Sequence, residues 1–433
     1  MIQKNNSLYS RAKKLIPGGT HLFSKKPEIF LPNGWPTYFD RTEGCFIWDL
    51  QGEKYTDTCL MGVGTNSLGY SNYHVDSSVK EVVSKGNMST LNCPEEVYLA
   101  EKLCEMHPWA GLVRFTRTGG EAMAVAVRIA RANHHNSNIA VCGYHGWHDW
   151  YLSANIGDNE NLSDLLMPGL GSKGVPKNLK GTTHTFLYND IDSLKNLIET
   201  NTFCAVVMEV MRNYEPEDDF LNKVRDLTNK HNVLLIFDEC SSGFRETFGG
   251  LHLKYSVEPD LLMLGKALGN GYAINAILGK DFLMEKANEC FISSTFWTER
   301  IGPTAALATL KEMEKQSSWK KINEIGVLVK NRWLNISNKH NVPIDIFGLN
   351  ALATFNFRND HLLNKTFLTK FMLDHGYLAS TVFYCCTCHS NDILEKYFNL
   401  LEECFINIAK TNIDEKLKFV GGELSQSGFK RLN

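Results

Sequence analysis

The chain has 433 residues, too many for one ordinary hydrophobic core, so two or three domains are expected. Its 43% apolar and 21% charged content is that of a folded globular protein, and a formal net charge of −3 without a dense Lys/Arg block leaves no electrostatic case for nucleic-acid binding. No stretch approaches the roughly 18 apolar residues that span a membrane, Met1 to Ser7 lacks a secretory apolar core, and the 12 cysteines are scattered, so reduced thiols and a cytoplasmic location are expected.

Ser7 to Ile16 has helical spacing and stops at Pro17-Gly18-Gly19. Phe46 to Asp57 reads as a hairpin turning at Gln51-Gly52. From about residue 75 to 315, helices alternate with short buried strands. Helices are predicted over Glu121 to Asn133 and Phe220 to Asn229, and strands over Ile139 to Cys142, Cys204 to Glu209, 234–239 and 261–264. That alternation implies a mostly parallel sheet covered on both faces. After about residue 316 a long helix, Trp319 to Lys339, leads to an alternating strand, Ala351 to Phe357, and to helices near 364–375 and 391–409. The expected division is an N-terminal segment (1–75) belonging to a small domain, a large domain (76–315) and a C-terminal small α+β domain (316–433). Gly421 to Asn433 reads as a surface tail.

Chemistry concentrates at two strand ends. Leu261 to Leu264 is an apolar run followed by Gly265 and Lys266, and Leu234 to Phe237 is another that ends in Asp238. One strand delivering an amine and another a carboxylate suits pyridoxal phosphate. The lysine forms a Schiff base, and the aspartate keeps the pyridine nitrogen protonated so that the ring accepts electrons. Taken singly, a lysine after a strand is an ordinary solvated end and an aspartate an ordinary helix cap.

Thr118-Gly119-Gly120-Glu121-Ala122 precedes an alanine-rich helix. Two glycines let an anion approach the first helical N–H groups, and the Thr118 hydroxyl can donate to it. A plain turn capped by Thr118 is the alternative. Gly169-Leu170-Gly171-Ser172-Lys173-Gly174 matches the dinucleotide pattern formally, but Pro168 and Pro176 flank it and no strand–turn–helix surrounds it. Cys385-Cys386-Thr387-Cys388-His389 lacks a second ligand couple, so thiols packed in an apolar strand are expected there and no metal. His145 and His148 are spaced like helix-borne ligands without an evident third, and are read as core or hydrogen-bonding histidines.

These residues resemble the class III aminotransferases of pyridoxal-phosphate fold type I, and within them the glutamate-1-semialdehyde 2,1-aminomutase group. The likeness runs from about Ser7 to Ile408. It is carried by Leu15-Ile16-Pro17-Gly18-Gly19, Thr118 to Ala122, Gly143-Tyr144-His145-Gly146, Phe237 to Arg245 and Leu264-Gly265-Lys266. Gly120 stands where the family more often has threonine. The resemblance implies an α/β fold: a large domain with a mostly parallel sheet that binds pyridoxal 5′-phosphate, and a smaller α+β C-terminal domain. It implies that Lys266 bonds the cofactor and Asp238 pairs with its ring nitrogen. Tyr144 would cover one ring face, Cys240 would pack on the other, and Glu209 would lie nearby. Thr118, Gly119 and Gly120 would hold the phosphate, with a threonine from a second subunit. Thr298 fits that place by its spacing to Pro303, with Thr295 as the other candidate. A shared site implies a homodimer.

Two substrate-facing features depart from the aminomutase group. Ser24-Lys25-Lys26 stands where an arginine is expected, and Lys25 offers a point charge without the bidentate fork. Tyr384 falls where that group has an acidic residue. The expectation is an aminotransferase working between an amine donor and a carbonyl acceptor, with a sugar or other hydroxylated carbonyl for surface polysaccharide as the favoured acceptor. Trp147, Trp150, Tyr151, Trp297 and Tyr384 could stack on such a sugar or simply be core. An intramolecular aminomutase and an inactive cofactor-binding protein are the alternatives.

Overall fold

A computed structural model describes residues 2–156 and 171–426. Gly169 and Leu170 of the dinucleotide-like stretch, and residues 427–433 of the expected tail, lie outside the described residues. The described chain forms two compact units, one running Tyr73–Lys320 and the other built from residues up to Asn72 and from Lys321 onward.

The Tyr73–Lys320 unit is organised by a seven-stranded sheet. Its spatial order is Leu112–Thr116, Asn275–Gly279, Leu261–Leu264, Leu234–Glu239, Ala205–Met208, Ile139–Cys142 and Thr183–Thr185. The five strands from Leu261–Leu264 to Thr183–Thr185 pair in parallel. Short runs such as Ala205–Met208 and Leu261–Leu264 are buried along their whole length, as expected of strands covered on both faces. Helix Gly119–Ala132 lays Ala122, Met123, Ala126, Ile129 and Ala130 against this sheet, its alanines allowing close approach.

Asn275–Gly279 runs antiparallel to both of its neighbours. Sequence reading did not separate this strand, because an apolar run of five residues carries no signal of direction. Its reversal places its first residue, Asn275, beside Thr116 and Ala276 beside Leu264. One strand start thus joins the strand ends at the carboxyl edge, where open α/β sheets place their sites.

The other unit contains two small sheets. Phe46–Asp49 and Lys54–Asp57 form the expected hairpin, flanked by Phe39–Glu43 and by the parallel Tyr377–Leu378. Ile344–Phe347, Leu352–Phe357 and Val382–Tyr384 form the second sheet, all antiparallel. Helices His361–Asp374 and Asn391–Lys410 build a core around Trp333, Phe355, Tyr397 and Phe405. Trp333 Nε1 donates to the Tyr397 hydroxyl at 3.0 Å, so this aromatic core buries a satisfied polar pair.

In that unit Cys385 and Cys386 are buried, and both His389 nitrogens engage backbone: Nε2 the Asp57 carbonyl at 2.9 Å, Nδ1 the Cys386 N–H at 3.1 Å. Among the described residues no group of three or more His, Cys, Asp or Glu side chains is placed to hold a metal, and no helix is long and apolar enough to cross a membrane.

Candidate active site

The strands Leu234–Glu239 and Leu261–Leu264 run side by side, with Asp238 opposite Met263 and Glu239 opposite Leu264. Because side chains alternate along a strand, Asp238 and Glu239 face opposite ways. Glu239 is fully buried and structural. It accepts from the Ser242 hydroxyl at 2.9 Å, the His252 N–H at 2.9 Å, the His252 ring at 2.7 Å and the Leu251 N–H. Burial pushes its carboxyl up, but these bonds outweigh that and hold it below the usual range. Asp238 is left to the other face.

Asp238 is 5% exposed. One oxygen accepts the Cys240 N–H at 3.1 Å and the other meets His145 Nδ1 at 2.9 Å. His145 Nε2 lies 3.0 Å from the Cys142 carbonyl, which can only accept, so Nε2 carries a proton. A proton must therefore also lie between Nδ1 and the carboxylate, since two bare lone pairs would repel there. His145 thus positions Asp238, and is itself packed against Trp150 and Tyr151.

Lys266 follows its strand by two residues and adopts a left-handed backbone with φ of +43°. For a residue with a Cβ this costs on the order of 1 kcal/mol. Its Nζ donates to the Ser241 hydroxyl at 2.5 Å, which brings the amine over the loop that follows Asp238. Gly265 makes the turn possible: a Cβ there would lie 2.0 Å from Asn275 Oδ1 and 3.0 Å from Cys240 Sγ. The Cys240 thiol is pushed up to about 11, chiefly by burial, with Lys266 opposing and Asp238 adding. It stays protonated at neutral pH and packs without acting as a nucleophile.

Thr118 is the N-cap of helix Gly119–Ala132. Its hydroxyl accepts from Glu121 N at 3.4 Å, while the Glu121 carboxylate accepts from Thr118 N at 3.0 Å and Arg117 N at 3.3 Å. The capping alternative and the anion-cradle alternative are compatible, because a hydroxyl accepting from the helix can still donate. Gly119 faces the same crowded spot as Gly265: a Cβ on it would lie 3.2 Å from Cys240 Sγ. Tyr144 is half-buried and edge-on to Tyr151 at 6.0 Å, and its N–H donates to the buried Glu209 at 3.3 Å. Thr298 sits on the short turn Thr295–Thr298, exposed, with its hydroxyl donating to the Thr295 carbonyl at 2.9 Å. Arg117 ties that segment to the turn that precedes helix Gly119–Ala132 through the Trp297 and Glu299 carbonyls and a 2.8 Å ion pair with Glu299.

The structure therefore gathers Thr118, Gly119, Gly120, Tyr144, Glu209, Asp238, Cys240 and Lys266 at or just beyond the strand ends on the carboxyl edge of one sheet. Sequence reading missed Ser241, Asn275 and Arg117. The Thr118–Glu121 spacing did carry a capping-box signal. Nothing local marks Asn275, which reaches the site only through strand order.

Residues 32–388 match the family described as Aminotransferase class-III. The chain is 29% identical to the 3-aminobutyryl-CoA aminotransferase of Cloacimonas acidaminovorans, covering 94% of this chain and 98% of that protein. It is 34% identical to the glutamate-1-semialdehyde 2,1-aminomutase of Methanothrix thermoacetophila over 75% of each. Among solved structures, the pyridoxal-phosphate form of the FumI protein of Sphingopyxis sp. MTA144 superposes with a TM-score of 0.83 at 22% identity, covering 95% of this chain and 98% of that one.

Proposed function

The chain belongs to the class III aminotransferases, a pyridoxal-phosphate-dependent family of fold type I, and from that premise we propose that it moves an amino group from a small-molecule amine donor to a separate carbonyl acceptor. The observation that carries this is the convergence of Lys266 and Asp238 at the ends of paired strands, with Lys266 hydrogen-bonded to the Asp238 loop.

The residues present fit the cofactor. A buried carboxylate, an amine on a strained turn and a helix start cleared of Cβ atoms match a ring nitrogen, an aldehyde and a phosphate. Lys266 would hold the aldehyde carbon, Asp238 the ring nitrogen, and Thr118, Gly119 and Gly120 the phosphate. Tyr144 would lie on one ring face, Cys240 on the other, with Glu209 beside them. When bound, pyridoxal phosphate supplies a ring that spreads the negative charge left after a Cα proton departs.

The chain's own part is acid–base work and orientation. Lys266 Nζ would take the Cα proton of the bound amine and give it back later in the reaction. Ser241 Oγ holds that amine in place between transfers. His145 would keep Asp238 in place by occupying one of its oxygens. Cys240 remains a thiol and excludes water. Thr298, with Thr295 as the alternative, would meet the phosphate of a partner subunit in a homodimer.

The acceptor we favour is a sugar or other hydroxylated carbonyl. It is supported by Lys25 and Tyr384 at the two places where the sequence departs from the aminomutase pattern. A second reading, an amino shift within one molecule, is favoured by relatives named glutamate-1-semialdehyde 2,1-aminomutase. The test loads the purified enzyme with the pyridoxamine form of the cofactor and follows its absorbance as candidate keto compounds are added one at a time. An acceptor that converts the pyridoxamine form once per site by itself, and turns over repeatedly only when an amine donor is added, supports the transfer between molecules. Product formed in full without any donor would instead establish the internal shift.

A further inference from the structure

Strand Asn275–Gly279 enters the sheet against the direction of its neighbours, so its first side chain arrives at the edge where theirs end. Asn275 pairs with Thr116, two residues ahead of the N-cap Thr118. Its carboxamide fills a gap that two glycines leave open. Oδ1 lies 2.0 Å from where a Cβ on Gly265 would be, and 3.9 Å from where one on Gly119 would be. The side chain is therefore aimed between the first residue of helix Gly119–Ala132 and the residue before Lys266. It is 5% exposed. The Cys240 thiol, kept protonated by burial, donates to Oδ1 at 3.8 Å, which fixes which way round the amide sits. Nδ2 then points away from that thiol. It donates to no group among the described residues, and, unlike the ring nitrogens of His148 and Trp150, it is not enclosed by protein. A buried amide normally has a partner for such a donor. The Gly119 and Gly120 N–H groups also have none among the described residues. The capping box takes those of Thr118 and Glu121, and Ala122 N bonds the Thr118 carbonyl at 3.0 Å.

We propose that Asn275 is a cofactor-binding residue whose Nδ2 donates to the phosphate received at the start of helix Gly119–Ala132. The proposal rests on the reading of that helix start as the cofactor's phosphate cradle. The helix supplies two open N–H groups and the positive end of its dipole. The amide adds a side-chain donor from the neighbouring strand. Arg117 does not fill that role, because its guanidinium is tied to the Trp297 and Glu299 carbonyls and to the Glu299 carboxylate. A neutral amide also suits a buried place that is empty part of the time, since an unpaired charge there would cost far more. Gly265 belongs to the same arrangement: any side chain on it would displace the carboxamide.

The experiment compares pyridoxal phosphate with pyridoxal, which lacks the phosphate, on cofactor-free protein. Dissociation constants come from fluorescence titration, and borohydride trapping reports attachment of either compound at Lys266. Asn275→Leu keeps the branched outline and removes the donor. It should weaken pyridoxal phosphate binding roughly 10- to 100-fold, the worth of one hydrogen bond to a charged group, and leave pyridoxal unchanged. Asn275→Asp has the same outline but turns a carboxylate toward the phosphate, so its loss should be larger and again confined to pyridoxal phosphate. Should Asn275→Leu prove poorly folded, Asn275→Asp, the closer in shape, carries the comparison. An Asn275→Asp protein that binds pyridoxal phosphate as the wild type does overturns the role of the amide and leaves the cradle standing. Equal losses for both compounds overturn it too, because the amide would then only support Cys240 and the Lys266 turn. A wild type that binds both compounds equally well overturns the cradle, and this proposal with it.

Discussion

Replacing His145 by phenylalanine isolates the pair beneath the candidate ring-nitrogen site. The phenyl ring fills most of the same volume against Trp150 and Tyr151, so little packing is lost. What disappears is a 2.9 Å contact to Asp238 and a 3.0 Å contact to the Cys142 carbonyl, between side chains that are 0% and 6% exposed. Removing one member of a buried charged pair costs about 3 kcal/mol or more, most of it from the charge left behind. For a cooperative unit of this size that is about 6–12 °C in Tm. Calorimetry of cofactor-free wild type, His145→Phe, Asp238→Asn and the double variant would measure it. If the two side chains act as one unit, the double variant should be less destabilised than the sum of the singles by at least about 1 kcal/mol. Additivity within about 0.5 kcal/mol, or a fall in Tm under 2 °C for His145→Phe where about 6 °C is expected, would refute the shared-proton argument.

Other outcomes can be stated more briefly. Lys266→Ala should abolish turnover and the mass gain after borohydride trapping, while the fold is retained; single-turnover assays that keep more than roughly a few per cent of the rate would rule out its role as base. Gly265→Ala pushes a methyl into Asn275 and Cys240. It should cost about 1–3 kcal/mol by urea denaturation and displace Lys266, lowering kcat more than KM. His107 is pushed down to about 4 by burial, against a usual value of 6.5, with its Nδ1 donating to the Leu103 carbonyl at 3.0 Å and its Nε2 accepting from Gly250 at 3.3 Å. Below pH 6.5 the unfolded chain takes up a proton that the folded chain refuses. Stability should therefore be intact above 6.5 and fall toward pH 4. Urea midpoints of His107→Gln should vary less over that window; an unchanged slope counts against the assignment.

Much of the fold was legible locally. Fully apolar runs such as 234–237 and 261–264 form buried strands in any packed arrangement, and both appear within the predicted bounds. Pro17-Gly18-Gly19 stopped the first helix, which ends at Leu15. Lys266 and Asp238 stood out because a charged residue closing an apolar run must emerge at a strand end. The chain alone thus determined four of the seven strands of the sheet and marked Lys266 and Asp238 as the residues at their ends able to do chemistry.

Strand order and orientation belonged to the tertiary structure. Only the antiparallel insertion of Asn275–Gly279 brings Asn275 against Gly265 and Cys240. Only the packing of the 143–148 loop on the first turn of helix Gly119–Ala132 sets His145 beneath Asp238 and His148 against Gly120. The physical reason is common to these cases. Apolar period and turn chemistry act over a few residues, whereas hydrogen-bond partners separated by many residues are chosen by which surfaces the whole sheet buries.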